Sequence, residues 1–277
     1  MIPTLVFGLM GGGRVNTKKS ESTITAHDIQ KLIVVYCRVR YNRTRRMNNV
    51  SSRMIVRANN IRKSLNGKLI LSNVSLSART GEIIGITGPI GAGKSTLLFI
   101  LAGILTPDSG TIHLFSAPSS DAIRKKINYA SGNNRLSGYA SVAENLAIYS
   151  LLYGVPFNKD STLSFLTKFT SNASSILHKK VYRLSSGENA LVNLCKAFTN
   201  TPQLLLLDEI SAHLDPVAVL LVIRLLREHA KKGNTILLIS QKPEELRALC
   251  TRMIVLSRGT IRYDGPPTDA RHIETHY

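Results

Sequence analysis

Residues 88–95 read Gly88-Pro89-Ile90-Gly91-Ala92-Gly93-Lys94-Ser95, with Thr96 next; the fold is decided here. The string is a complete G-x-x-x-x-G-K-[ST] phosphate loop. Its glycines let backbone N–H groups turn inward onto α- and β-phosphates. Lys94 can reach the β/γ oxygens, and Ser95 supplies a hydroxyl to Mg²⁺. The apolar run Glu82 to Thr87 reads as a buried strand entering the loop, while Leu97, Leu98, Leu101, Ala102 and Leu105 form a helical stripe leaving it. Strand, loop and helix N-terminus are what anion capture requires. A plain Gly-rich turn would not need these flanks.

Upstream, Ile55 to Asn59 alternates in character. A second run, Lys68 to Ala78, follows Asn66-Gly67, the strongest short-range hairpin signal. An antiparallel layer is therefore predicted ahead of the loop. Downstream comes a helix-rich insertion at about 138–181, with Ala143 to Tyr153 its clearest piece. An α/β rhythm then returns: strand Gln203 to Leu207, helix Pro216 to Lys232 ended by Gly233, strand Thr235 to Ile239. A last hairpin turns at Arg258-Gly259. The pattern predicts an α/β fold with a mostly parallel central sheet, an antiparallel β layer and a helical subdomain.

Leu204 to Leu207 are followed by Asp208 and Glu209, a buried strand delivering two acids to a phosphate site. Asp208 is the candidate Mg²⁺ ligand, and Glu209 the candidate group that polarises attacking water. Between loop and acids lies Leu184-Ser185-Ser186-Gly187-Glu188. Here the chain resembles the ATP-binding-cassette family, whose signature is L-S-x-G and whose order of motifs is the same. The resemblance runs from about Met54 to Pro267 and identifies the fold as a P-loop NTPase of that type. Ser185 and Glu188 also form an S-x-x-E capping box ahead of a stripe of Leu191, Leu194, Cys195 and Phe198. The two readings are compatible. The resemblance implies that Ser185 and Gly187 address the γ-phosphate of ATP bound by a second subunit.

Ile210 to Asp215 resembles the family's dimer-interface loop, with Ile210 in place of Pro. Asp215 reads equally well as the N-cap of the helix opening at Pro216, and His213 as a surface or interface residue. Three positions depart from the family pattern. Leu65 stands where an aromatic would stack on adenine. Gly132 takes the place of the Q-loop glutamine, with Asn133 or Asn134 as stand-ins. Gln241 replaces the switch histidine and hydrogen-bonds without titrating. Nucleotide binding survives these changes; fast hydrolysis is in question.

Composition narrows the partners. The 277 residues carry 36 Lys/Arg against 17 Asp/Glu, a net charge of +19 that favours polyanionic neighbours. Residues 1–53 hold ten of the basic groups and only Glu21 and Asp28 as acids, so the excess is spread over the chain. Without interleaved aromatic and basic residues, nucleic acid is the minor reading. Residues 1–53 read as a basic, flexible extension or as the product of a start codon upstream of Met54; an Arg-rich transit segment is the other reading. The strand-like run Leu32 to Tyr41 is its only patterned part. Residues 54–277 then form the ATPase domain. A membrane span needs roughly 20 apolar residues in a row, and no stretch offers them. Cys37, Cys195 and Cys250 make no CxxC pair, which suits buried reduced thiols in a cytosol-like compartment.

The resemblance implies an ATP- and Mg²⁺-dependent subunit on the cytoplasmic face of a membrane. It would work with a second ATPase subunit, identical or not, and a separate transmembrane permease. The segment Arg135 to Val155, including Val142 to Leu146 and Leu151 to Gly154, resembles the ATPases of two-component exporters. Two rivals stay open: an ABC-type ATPase acting on nucleic acid, the ribosome or a cofactor-assembly complex, and a regulatory subunit that binds ATP but turns it over slowly.

Overall fold

Asn66 and Gly67 both adopt left-handed backbone, with φ 49° and 76°, as a two-residue hairpin turn demands. They join β1 (Met54–Leu65) to β2 (Lys68–Arg79) in an antiparallel pair. The structure is a computed structural model that describes residues 53–116, 121–132 and 136–267. The expectations for residues 1–52, Cys37 and the run Leu32 to Tyr41 among them, and for Asn133 and Asn134, lie outside the described residues. After β2 come β3 (Ile83–Thr87), the phosphate loop, α1 (Lys94–Leu101) and β4 (Ser109–Leu114). β4 returns to the other edge of β1, giving an antiparallel sheet ordered β2-β1-β4.

The chain then runs through the short α2 (Asp121–Arg124) to β5 (Ile127–Ser131) and into the helical subdomain. This contains α3 (Val142–Tyr153), α4 (Lys159–Leu166), α5 (Ala173–His178), a 3-10 turn Val181–Arg183 and α6 (Ser186–Ala197). β6 (Leu204–Asp208), α7 (Pro216–Lys231), β7 (Thr235–Ile239), α8 (Pro243–Leu249), β8 (Arg252–Ser257) and β9 (Thr260–Gly265) complete it. The six-stranded sheet has the order β5-β6-β7-β3-β8-β9, parallel except for β9 against β8.

The parallel strands are apolar runs because both their faces are covered. Every residue of β3, β6 and β7 is buried. The strand period of two divides the leucines of β6 between two cores. Leu204 and Leu206 face the antiparallel layer and α1, whereas Leu205 and Leu207 face α6, α7 and α8. Burying each such side chain is worth about 1.5–3 kcal/mol. A third core, built on Val142, Leu146, Leu166, Ile176, Leu177 and Val192, holds the helical subdomain. The β6 strand is shifted one residue from the predicted Gln203 to Leu207: Asp208 is inside it, paired with Ser131 and Ile239. That register fixes the acid in the sheet rather than in the loop beyond it.

Candidate nucleotide-binding site

The phosphate loop leaves the C-terminal end of β3 and is gripped from two sides. A Cβ on Gly88 would lie 1.9 Å from the Leu256 carbonyl oxygen of β8, at φ 141°. A Cβ on Gly93 would lie 2.7 Å from the Leu71 side chain and 3.0 Å from the Ile70 carbonyl of β2. Only glycine fits either position. Gly91, also left-handed at φ 79°, has nothing within 4 Å of a built Cβ, so its need is for conformation alone. Pro89, Ile90 and Gly91 are exposed at the tip, with Ile90 at 90%, while Ala92 and Lys94 are buried. The antiparallel layer thus forms one wall of the loop.

Lys94 Nζ donates to the carbonyls of Gly88 at 2.7 Å and Pro89 at 2.9 Å. The lysine is folded back along its own loop. Burial lowers its pKa, and the nearby Glu209 and Asp208 charges oppose that shift. Across from it, Ser95 and Thr96 open α1, and the Ser95 hydroxyl donates to Asp208. Burial raises the Asp208 pKa; the Ser95 bond works against it, the Glu209 charge adds to it, and the bond from Tyr129 and the Lys94 charge oppose it. A hydroxyl and a carboxylate held together beside a lysine form a set of hard oxygen donors suited to Mg²⁺ with a polyphosphate.

Glu209 begins the loop after β6 in a left-handed conformation, φ 52°, a state that costs a non-glycine residue about 1–2 kcal/mol. Its N–H donates to Ile239 O at 3.0 Å, and its own carbonyl accepts from Ala212 N at 3.1 Å. This turn aims the carboxylate at the loop after β7: Gln241 Nε2 donates to Glu209 Oε1 at 2.6 Å. Gly132 is at the same end of the sheet. Its N–H donates to Asp208 O at 3.1 Å, and a Cβ there would meet Glu209 O at 2.8 Å. At Gly132 the backbone of one loop thus approaches the backbone of the other too closely for a side chain.

Leu184, Ser185, Ser186, Gly187 and Glu188 belong to the helical subdomain. Ser185 Oγ accepts from Glu188 N at 3.1 Å, and Glu188 accepts from Ser185 N at 3.0 Å, a reciprocal capping box on α6. Lys179 pairs with Glu188 at 2.7 Å. Burial pulls the Glu188 pKa up, but Lys179 and the Ser185 N–H outweigh it and leave the carboxyl low. A Cβ on Gly187 would lie 3.4 Å from His213 O, so the signature runs close beside the loop after Glu209. Asp215 caps α7, accepting from Val217 N and Ala218 N, both at 2.9 Å. His213 is exposed. Leu65, at the end of β1, is 39% exposed and brings no ring to the loop.

Two further side chains of the site escape a sequence reading. Tyr129 donates to Asp208 Oδ2 at 3.3 Å, and burial with the Asp208 charge holds its phenol well above the ordinary tyrosine value. Glu245 ties the loop after Glu209 to the one before Gln241. Neither lies in a motif. The register of β5 on β6 would have suggested Tyr129; nothing in the sequence singles out Glu245.

A phosphate loop between a buried parallel strand and a helix, with two acids at the end of a strand two places away in the same sheet, defines a P-loop nucleotide hydrolase. The chain belongs to the ABC transporter family, whose family model matches residues 71–212. It is 34% identical over 213 residues to the Nod factor export ATP-binding protein I of Rhizobium etli, covering 76% of this chain and 67% of that one. The protein of the same name from Bradyrhizobium diazoefficiens is 33% identical over 220 residues, covering 78% and 72%. A methionine import ATP-binding protein of Brucella abortus is 32% identical over 225 residues, covering 78% of this chain and 61% of that one. The fold matches a solved ATP-binding subunit of an ABC transporter with a TM-score of 0.70 at 23% identity, over 80% of this chain and 94% of that one. A nucleotide-free ATP-binding cassette matches with a TM-score of 0.65 at 24% identity, over 80% and 94%. The chain is an ATP-binding and ATP-hydrolysing subunit that powers a membrane transporter. Among the described residues no helix is long and apolar enough to cross a membrane.

Proposed function

We propose that this subunit drives an exporter, as one of two ATPase subunits that close head to tail over two ATP molecules on the cytoplasmic face of a separate permease. The observation that carries the reading is the meeting of Ser95 with Asp208 beside Lys94. Gly88 to Thr96 cradle the α- and β-phosphates through backbone N–H groups, and Lys94 leaves its loop carbonyls for the β/γ oxygens. Ser95 and Asp208 would hold Mg²⁺, which neutralises charge on the β- and γ-phosphate oxygens when bound. Glu209 polarises the attacking water, and Gln241 donates to the γ-phosphate. Leu184 to Glu188 of one subunit meet the ATP of the other, with the 210–215 loop and Asp215 at the joint.

Two relatives are named for Nod factor export and one for methionine import; the exporter reading draws on the first two. Residues 1–53 are an extension to the ATPase domain at 54–277. Ile148, Leu151 and Leu152, on one face of α3, are 53%, 79% and 69% exposed, and Ile104 is 62% exposed. An apolar strip of this kind suits contact with another protein, and the α3 residues fall in the segment that resembles exporter ATPases. The test is ATP-dependent dimerisation of the Glu209→Gln chain by light scattering, together with recovery of a membrane protein from detergent extract. A monomer with ATP present in both forms would defeat the head-to-tail mechanism. Gly132 and Gln241 favour a second reading, a regulatory subunit with slow turnover, which steady-state ATPase assay distinguishes.

A further inference from the structure

The loops carrying Glu209 and Gln241 meet on a carboxylate that no step above employs. Glu245, on α8, is 3% exposed. Its Oε2 accepts from Ser211 Oγ and from Ser240 Oγ, both at 2.7 Å. Ser211 is two residues beyond Glu209, and Ser240 directly precedes Gln241; the two serines are 2% and 3% exposed. Ser240 Oγ also accepts from Lys242 N at 3.1 Å, and Lys242 Nζ donates to Ser211 O at 3.1 Å. With Gln241 Nε2 on Glu209 Oε1 at 2.6 Å, the bonds close a ring: Glu209, Ser211, Glu245, Ser240, Gln241 and back to Glu209.

This arrangement is expensive as a fold stabiliser. The second oxygen of Glu245, Oε1, is buried without a hydrogen-bond partner among the described residues. A buried acceptor left unmade is unfavourable, and an apolar residue of similar shape would avoid the loss. What the carboxylate provides, and an apolar residue would not, is one acceptor shared by two loops. Ser211 and Ser240 are thereby held at a fixed separation, which in turn limits how far apart Glu209 and Gln241 can move.

We propose that Glu245 is a positioning residue for ATP hydrolysis, clamping the 209–215 loop to the 240–242 loop so that Glu209 and Gln241 keep a single relative geometry. The inference rests on the reading of Glu209 and Gln241 as the pair that acts on water and γ-phosphate. Misplacing reacting groups by about 1 Å costs on the order of 100-fold in rate, so a clamp acts on kcat. It touches no part of the phosphate loop, so ATP affinity should not follow.

The test uses the full chain with saturating Mg-ATP and compares Glu245→Ala, Glu245→Gln, Ser211→Ala and Ser240→Ala, each alone and combined with Gln241→Ala. Glu245→Ala should lower kcat by about 10- to 100-fold, with KM and equilibrium ATP affinity nearly unchanged. Glu245→Gln should recover most of the rate, because an amide oxygen has lone pairs for both hydroxyls. In the Gln241→Ala background Glu245→Ala should add little, since residues acting as a unit are not additive. The clamp is wrong if Glu245→Ala leaves kcat intact, if affinity falls in step with kcat, or if the loss is the same in both backgrounds. Should Glu245→Ala fail to fold, the two serine variants carry the test, each lowering kcat several-fold or refuting the clamp by leaving it unchanged. Glu209→Gln separates the two levels. If it does not slow hydrolysis, the assignment of the pair itself is lost; if it does and the Glu245 series is silent, only the clamp is.

Discussion

The two sides of the candidate site are built from different materials. The phosphate-loop side is backbone: glycines pressed against Leu256 O, Ile70 O and Leu71, and a lysine resting on its own loop carbonyls. The side at the ends of β5, β6 and β7 is mostly side chain: Gln241 on Glu209, two serines on Glu245, Tyr129 on Asp208. Backbone cradles tolerate almost no change in residue type, because conformation and close approach are set by the absence of a Cβ. A side-chain network can exchange one hydrogen-bonding group for another and keep its shape.

The comparison is broken most forcefully at Glu209. Glu209→Gln keeps the shape of the side chain but removes a base, and kcat should fall by about 10²- to 10⁴-fold while ATP affinity stays level. Single-turnover and equilibrium-binding measurements check the split. Lys94→Ala should act on the other quantity, weakening ATP binding by roughly 100-fold, the scale of a lost charge-assisted contact. Lys94 also supplies a pH dependence. Its pKa is lowered, mainly by burial, so wild-type ATP affinity should begin to fall at a lower alkaline pH than an exposed lysine would dictate. If the affinities of wild type and Lys94→Ala converge nowhere as pH is raised, the loss does not come from that ammonium.

The glycines sharpen the contrast within the loop. Gly88→Ala forces a Cβ onto the Leu256 carbonyl at 1.9 Å and should cost more than about 3 kcal/mol of stability. Gly91→Ala has open space and should cost only about 1 kcal/mol for its left-handed backbone. Chemical denaturation of the pair measures the difference. Equal losses would show that the close approach to β8 is not what confines Gly88.

These materials explain what the sequence could tell. Gly88 to Thr96 and the run Leu204 to Glu209 declare themselves because backbone cradles and buried parallel strands restrict residue type locally. The hairpin at Asn66-Gly67 is legible for the same reason: two left-handed residues in a row leave few choices. Glu245 and Tyr129 were not legible. Each depends on a distant partner, Ser211 for Glu245 at 34 residues and Asp208 for Tyr129 at 79, and a lone Glu on a helix or Tyr on a strand carries no periodic or spacing signal. Asp215 was legible as an N-cap, and the structure shows it capping α7. The tight fit of Gly132 against Glu209 O could not be read either, since glycine there is defined by a contact 77 residues away in the chain.

Gln241 offers the finest test of the side-chain half. Its amide donates to Glu209 at 2.6 Å, so the position already bonds the group it faces, and substitution by histidine exchanges one donor for another. The change should therefore be small: a several-fold rise in kcat near neutral pH, from a ring that can carry positive charge beside the γ-phosphate. Its signature is in the pH profile. Glutamine does not titrate, so position 241 adds no pH dependence in the wild type; Gln241→His should add a step near the ordinary imidazole value of about 6.5, displaced upward by the neighbouring Glu209 carboxylate. Steady-state kcat measured for both chains between about pH 6 and 8 decides the matter. Vigorous wild-type hydrolysis that drops on introducing histidine would mean that glutamine is the adapted residue and that the closed ring through Glu245 is tuned to an amide. A rise without the added step would mean that the histidine acts through packing, and the charge argument would fall.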